Sequence, residues 1–156
     1  MYYWHYDYKL FKLEYLASQK GLTKINFIRD FKEQDLLFNP EPFEAIHQFM
    51  LSYVKKNPID IKIDLDYDPT DFQQCVYNEA LNIPFGKTIS YGELANRINN
   101  PNAARAVGGA LGKNPFSILI PCHRIVGSNG KLTGYSALDG IELKRKLIDF
   151  EQEEQF

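Results

Sequence analysis

The predominant hydrophobic period of this 156-residue chain changes at residues 66–69, and that change limits the folds it can adopt. Before the segment 66–69, apolar and polar residues alternate over 11–17 and 23–27, which is the period of half-buried strands. After that segment, apolar residues recur at helical spacing. We therefore predict an α+β chain in which 1–66 form a small α/β structural domain and 67–156 form a mostly helical domain, with 66–69 as the linker.

The first domain contains two further patterns. Apolar residues from Phe43 to Val54 recur at helical spacing, and alternation over 61–65 predicts an edge strand. We interpret the many aromatic residues at the N-terminus as core. No residue pattern in this domain indicates a catalytic or binding site.

Capping signals predict helices in the second domain. Thr70 with Gln73, and Ser90 with Glu93, match capping boxes, and Asn102 is expected to cap a further helix. The last two helices, joined by a tight turn, are a helix-turn-helix candidate. Many helical domains contain such a pair, so this signal is weak alone.

The last of these helices consists almost entirely of small residues with one arginine, Arg105. Gly108 and Gly109 together cost about 2 kcal/mol of helix propensity relative to alanine. Such a helix is explained if a large body approaches its backbone, either duplex DNA or a neighbouring helix of the same core. Arg105 favours DNA, because an arginine can fill the space that a flipped base leaves.

Charge is distributed unevenly along the chain. The net charge is −2, yet the segment 85–135 alone carries +5 and the remainder −7. A basic segment is compatible with phosphate binding, or with an ordinary solvated face.

Composition excludes several other classes of protein. The two cysteines and three histidines lack the paired spacing of a zinc site, so we expect neither a metal nor another cofactor. No apolar run approaches the roughly 20 residues of a membrane helix, and the N-terminus does not resemble a signal peptide. We therefore expect a cytoplasmic protein with free thiols. Cys75 has no histidine or basic cluster near it in sequence, which predicts an inert thiol.

Cys122 is different, because His123 follows it directly. The pair lies within Pro121-Cys122-His123-Arg124, after an apolar run over 118–120 that we interpret as a short buried strand. A thiol with a base nearby is a candidate nucleophile. Since adjacent strand residues point to opposite faces, we do not expect the two side chains to touch.

In this context the C-terminal part resembles the O6-alkylguanine-DNA alkyltransferases, also called methylated-DNA–protein-cysteine methyltransferases. The resemblance covers roughly 70–151 and is carried by the segments 89–95, 103–109, 114–115, 118–124 and 134–136. It implies a winged helix-turn-helix domain, preceded by a ribonuclease-H-like domain that is matched less distinctly. It further implies DNA repair, in which Cys122 takes the alkyl group from guanine O6 once and irreversibly, without a cofactor. Activity on O4-alkylthymine stays open.

The resemblance also implies roles for residues around Cys122. His123 is the base, acting through a bridging water, and Glu151 orients it. Tyr91 donates a proton to the guanine ring at N3, and Asn114 braces the turn that holds the cysteine.

The substrate pocket and the DNA contacts follow from the same resemblance. Ile125 contacts the base through its carbonyl, Tyr135 and Ser136 close over it, and Arg105 replaces it in the stack. The partner is double-stranded DNA containing O6-alkylguanine, bound through the minor groove by a monomer. The expected DNA-contacting residues are Ser90, Ala104, Arg105, Gly108 and Gly109. The loop 136–140 is longer than the short glycine link of the family.

Helix geometry supports Glu151 independently. At about 100° per residue from Ile141, Glu151 falls within the apolar arc that contains Leu143 and Leu147. A carboxylate on a buried face is expected to have a partner. Lys144 lies in the same arc, so an ion pair within the helix is the alternative to a bond with His123.

Other functions compete with repair. Binding-only alkyltransferase-like proteins carry tryptophan in place of the cysteine, so Cys122 argues against that class. A winged-helix regulator would be expected to have a further sensor or activator domain. A cysteine hydrolase would need an oxyanion hole, for which there is no signature.

Overall fold

The computed structural model describes residues 1–135 and 140–153, and its backbone divides into two compact units, 1–68 and 69 onward. The first unit consists of a sheet and one helix, and the second is mostly helical. The predicted α+β class is confirmed. Separate roles for domains bounded at 1–66 and 67–156 stay a prediction.

The elements of the first unit are β1 (Tyr2–Asp7), β2 (Lys12–Ala17), β3 (Leu22–Ile28), β4 (Leu37–Phe38) and the helix α1 (Glu44–Val54). Its strands form a four-stranded sheet in the order β3-β2-β1-β4. The first three strands form an antiparallel meander, and β4 pairs parallel to β1. The apolar face of the sheet forms a core with the helix α1, in which Leu13, Tyr15 and Met50 are buried.

The edge strand predicted over 61–65 is wrong. Only Leu65 forms a bridge, with Leu22, held by hydrogen bonds from Leu22 N to Asp64 O and from Asp66 N to Leu22 O. Alternation describes which side chains are buried, but a strand also needs a neighbouring backbone along its length. This segment meets the first residue of β3 alone.

The described part of the second unit contains four α-helices and one short parallel pair of strands. Its core is formed by buried residues such as Val76, Leu94, Val107 and Leu147. Across the described ranges, no helix has the length and apolar character needed to cross a membrane. The elements are α2 (Asp71–Leu81), β5 (Ile89–Ser90), α3 (Tyr91–Arg97), α4 (Ala104–Gly112), β6 (Ile125–Val126) and α5 (Gly140–Gln152).

Two of the three predicted helix caps are confirmed. Thr70 forms the complete capping box at α2, and the Ser90 hydroxyl accepts from Glu93 N at 3.0 Å at α3. The Asn102 cap is wrong. Ala103 N donates to Asn100 O, and this turn makes Ala103 the capping residue of α4, so Asn102 lies one position too early.

Candidate active site

A tight turn, rather than a strand, leads the chain to Cys122. Ile120 N donates to Phe116 O at 2.9 Å, and Ile118 has a φ of 72°, in the left-handed region. A β-branched residue held in that region costs on the order of 1–3 kcal/mol. The strand predicted over 118–120 is therefore wrong, because the backbone folds back on itself there.

Asn114 ties the two ends of this turn together. Its Nδ2 donates to Ile120 O at 2.9 Å, and its Oδ1 accepts from Phe116 N at 2.9 Å. Both groups of the amide are thus used on backbone atoms within the turn. The side chain fixes the backbone that immediately precedes Pro121 and Cys122.

The residues that follow Pro121 form a single 3₁₀ turn over Cys122–Arg124. Arg124 N donates to Pro121 O at 3.0 Å, and Ile125 N donates to Cys122 O. The strand alternation assumed for Cys122 and His123 is therefore wrong. That their side chains do not touch stays a prediction. His123 is completely buried, whereas Cys122 retains 8% of its exposure.

Glu151, near the end of α5, contacts both residues that follow the cysteine. Its Oε2 lies 2.5 Å from His123 Nε2, and Arg124 Nε donates to its Oε1 at 2.7 Å. The backbone N–H of Gly86 donates to the same Oε1 at 3.1 Å. Burial raises the pKa of Glu151, but the hydrogen bonds from His123 and Arg124 and the positive charge of Arg124 outweigh burial and lower it to about 2. The carboxylate is ionised at neutral pH.

His123 is held as a neutral imidazole. Burial lowers its pKa, Glu151 opposes that effect, and the positive charges of Arg124 and Lys144 lower it further. Because the ionised Glu151 can only accept at Nε2, the proton of the neutral ring lies on Nε2. The buried Nδ1 has no hydrogen-bond partner among the described residues. An unprotonated ring nitrogen is what a general base requires.

Cys122 is a free thiol whose pKa is raised by burial, while Asn114 and the charge of Lys144 act in the opposite direction. It therefore needs a base to become a nucleophile. Tyr135 has Cys122 and Ser117 as polar neighbours, and burial raises the pKa of its hydroxyl. Within the described ranges that hydroxyl is buried without a hydrogen-bond partner. Cys75, by contrast, is exposed on α2.

Lys144 is a functional candidate that the sequence indicates only as an alternative ion-pair partner of Glu151. It is 1% exposed, and its Nζ donates to Thr133 O at 3.0 Å and to Tyr91 Oη at 3.3 Å. The Tyr91 hydroxyl in turn donates to Thr133 O at 3.1 Å. The signal was present in the sequence, since a lysine inside the apolar arc of a helix needs a buried polar partner.

Packing within the chain does not require glycine at positions 108 and 109 of α4. A Cβ built on Gly109 meets no described atom within 4 Å, and one on Gly108 reaches Tyr91 only at an ordinary 3.8 Å. Arg105 is exposed, and Ala104 is half-buried. The exposed side of α4 at Ala104, Gly108 and Gly109 is therefore a flat surface.

The remaining predicted site residues lie as follows. Ser90 is occupied as the cap of α3, and Ile125 is buried in β6. Ser136 and the long loop lie outside the described residues. The positive charge of the basic segment is partly offset and partly buried, because the exposed Arg97 pairs with Glu93 at 2.9 Å and Arg124 is buried. Its exposed members are Lys87, Arg97, Arg105, Lys113 and Lys131.

Comparison with known proteins agrees with this site. The family model described as "6-O-methylguanine DNA methyltransferase, DNA binding domain" matches residues 71–153. A methylated-DNA–protein-cysteine methyltransferase from Methanosarcina acetivorans is 35% identical over 155 residues, which cover 97% of this chain and 98% of that protein. This chain belongs to the methylated-DNA–protein-cysteine methyltransferase family.

Other members of the family give the same result. The Mycobacterium tuberculosis methyltransferase is 45% identical over 114 residues, covering 73% of this chain and 68% of that protein. The crystal structure of Mycobacterium tuberculosis OGT in complex with DNA matches with a TM-score of 0.83 at 37% identity, over 97% of this chain and 93% of that one. The family resemblance predicted from the sequence is confirmed.

Proposed function

We propose that this protein repairs DNA by transferring the alkyl group of O6-alkylguanine to the Sγ atom of its own Cys122. The observation that carries the proposal is the chain of contacts beside the thiol. A buried neutral imidazole, His123, is held at Nε2 by the ionised Glu151 and has its other ring nitrogen unprotonated. Membership of the methyltransferase family supports alkylated DNA as the substrate.

The first step is formation of the thiolate. The thiol proton passes to His123 Nδ1 through a bridging water, and Glu151 stabilises the imidazolium that results. Such a relay is required because burial disfavours the thiolate of Cys122 in the resting protein. Asn114 keeps the turn before the cysteine in place during this step.

The second step is a displacement at the alkyl carbon. The thiolate forms a bond to that carbon, the bond from the carbon to O6 breaks, and its electron pair moves into the guanine ring. Tyr91 protonates the ring at N3, so that guanine leaves as a neutral base. The ammonium of Lys144, 3.3 Å from Tyr91 Oη, stabilises the negative charge left on that oxygen. The thioether on Cys122 is stable, so each molecule reacts once.

Duplex DNA is bound by α4 through the minor groove. The flat surface at Ala104, Gly108 and Gly109 allows the close approach that this requires, and the exposed Arg105 takes the place of the extruded base. Ser90 contacts the backbone from the start of α3. The structure of the related Mycobacterium tuberculosis protein in complex with DNA supports DNA as the partner.

The base enters a pocket beside Cys122. The carbonyl of Ile125 and the side chain of Tyr135 line this pocket, whereas the contact of Ser136 with O6 that the family resemblance implies lies outside the described residues. The buried hydroxyl of Tyr135, which has Cys122 as a polar neighbour, supports this placement.

The finer assignments of fold and state are part of the same proposal. A ribonuclease-H-like first domain is supported by an antiparallel meander with β4 parallel to β1. A winged helix-turn-helix second domain is supported by the sequence of α3, α4 and the β5–β6 pair. A monomer in the cytoplasm stays a prediction.

Matched serine variants test the role of Cys122. Each protein is incubated with a duplex containing O6-methylguanine, and restored guanine is measured by chromatography of the digested DNA. Cys122→Ser is expected to restore none, while Cys75→Ser restores as much as the wild type. Full repair by Cys122→Ser would overturn the proposal.

A further inference from the structure

Arg124 has an environment that a DNA-contacting arginine would not have. It is 8% exposed, its Nη1 donates to Ile83 O at 2.9 Å, and its guanidinium carbon lies 5.6 Å from the centre of the Phe85 ring. An arginine buried under an aromatic ring, with its donors used inside the protein, cannot reach a phosphate. Its task must lie within the protein.

The planar fork of Arg124 contacts both oxygens of Glu151. Nε donates to Oε1 at 2.7 Å, and Nη2 donates to Oε2 at 3.2 Å. A bidentate pair of this kind fixes the plane of a carboxylate as well as its position. Oε2 is also the atom that His123 Nε2 contacts, so the orientation of Glu151 determines where the imidazole is held.

The same carboxylate is anchored from a second direction. Gly86 N donates to Oε1, and a Cβ on Gly86 would lie 3.1 Å from Glu151 O, at a φ of 83° that favours glycine. Arg124 bonds Ile83 in the same turn. The guanidinium therefore connects the end of α5, the turn after α2 and the residue beside His123.

Arg124 also affects the charge that His123 experiences. The charged groups around the imidazole are Glu151 and Lys144 on α5 and Arg124 beside it. Glu151 alone would favour the imidazolium, and Arg124 offsets part of its negative charge. Removing Arg124 would leave a buried carboxylate that binds a proton on the imidazole more strongly.

We propose that Arg124 is a positioning residue for alkyl transfer, acting through Glu151 to hold His123 in place as a neutral base. This inference rests on the function proposed above. Arg124 makes two contributions. Its planar guanidinium aligns the Glu151 carboxylate, and its positive charge keeps the His123 imidazole unprotonated.

Two variants and a control separate these contributions. Arg124→Lys keeps the charge but cannot bond both carboxylate oxygens and Ile83 O together. Arg124→Met removes the charge as well. Arg97→Met is the matched control, because Arg97 also pairs with a glutamate but does so on the exposed surface of α3. The rate constant for transfer from free O6-benzylguanine, which requires no DNA, is measured between about pH 5 and about pH 9.

Arg124→Lys is expected to react ~10- to 100-fold more slowly than the wild type with the same pH profile, since misplaced groups cost about that much. Arg124→Met is expected to lose activity on the acid side at a higher pH than the wild type. ¹⁵N NMR of the histidine side chains should show His123 taking up its second proton at a correspondingly higher pH. Arg97→Met should match the wild type in rate and in profile.

A wild-type rate for Arg124→Lys would show that transfer does not need the bidentate contact with Glu151. Unchanged titration of His123 in Arg124→Met would show that the charge of Arg124 does not keep the imidazole unprotonated. Since the NMR titration needs no reaction, it tests Arg124 even if the wild-type protein transfers no alkyl group. That last result would refute the proposed function instead.

Discussion

Replacing Glu151 by glutamine keeps the shape of the side chain and removes the charge that His123 and Arg124 contact. The pKa of Glu151 is about 2 in the folded protein, against an ordinary 4.5. A difference of about 2.5 pKa units corresponds to about 3 kcal/mol in the free energy of unfolding. We therefore expect Glu151→Gln to be less stable than the wild type by about 3 kcal/mol at pH 7.

The sign of the pH dependence follows from the lowered pKa. The contribution of Glu151 is complete above the unfolded pKa of about 4.5 and is lost as the pH falls toward the folded value of about 2. By about pH 3, roughly half of the difference between the two proteins should be gone. Urea denaturation followed by far-ultraviolet circular dichroism, repeated from pH 7 down to pH 3, measures this difference directly.

Glu142→Gln is the matched control, because Glu142 is an exposed glutamate of the same helix. Surface changes of this kind alter stability by only ~0.5 kcal/mol or less. Two results would contradict the claim that Glu151 is a stabilised, ionised carboxylate. One is a Glu151→Gln variant as stable as the wild type at pH 7, and the other is a stability difference that does not shrink on acidification.

Three further variants test other parts of the site. Asn114→Ala removes two hydrogen bonds from the turn before Cys122, so we expect a loss of about 2 kcal/mol in the free energy of unfolding together with slower alkyl transfer. A wild-type rate of transfer would show that the turn does not need Asn114. Arg105→Ala should slow repair of duplex DNA more than reaction with free O6-benzylguanine, and equal losses would contradict its role in base extrusion. Gly109→Ala should stabilise α4 by up to about 1 kcal/mol in thermal unfolding, because open space surrounds the position. The same variant should bind duplex DNA more weakly in a titration, and unchanged affinity would exclude close approach at Gly109.

Local signals in the sequence were sufficient for several features. The Thr70 and Ser90 caps involve residues three positions apart, so their chemistry is visible in a short segment. The burial of Glu151 followed from its place in the apolar arc of a single helix. These features depend on the chain within one element.

Features that depend on distant contacts could not be predicted in this way. Arg124 belongs to a basic segment of the sequence, whereas its partners Ile83 and Glu151 lie far from it in sequence and bury it. The left-handed backbone of Ile118 contradicts the preference of a β-branched residue and is maintained by the bonds of Asn114. In both cases tertiary contacts outweigh the local preference.

The identity and number of acceptor sites test the central claim most directly. The protein is incubated with an excess of duplex DNA containing O6-methylguanine, digested, and its peptides are analysed by mass spectrometry. We predict one methyl group per protein molecule, on the peptide that contains Cys122, with the reaction ending at that stoichiometry. Methylation of Cys75, or repair of many guanines by each protein molecule, would contradict it.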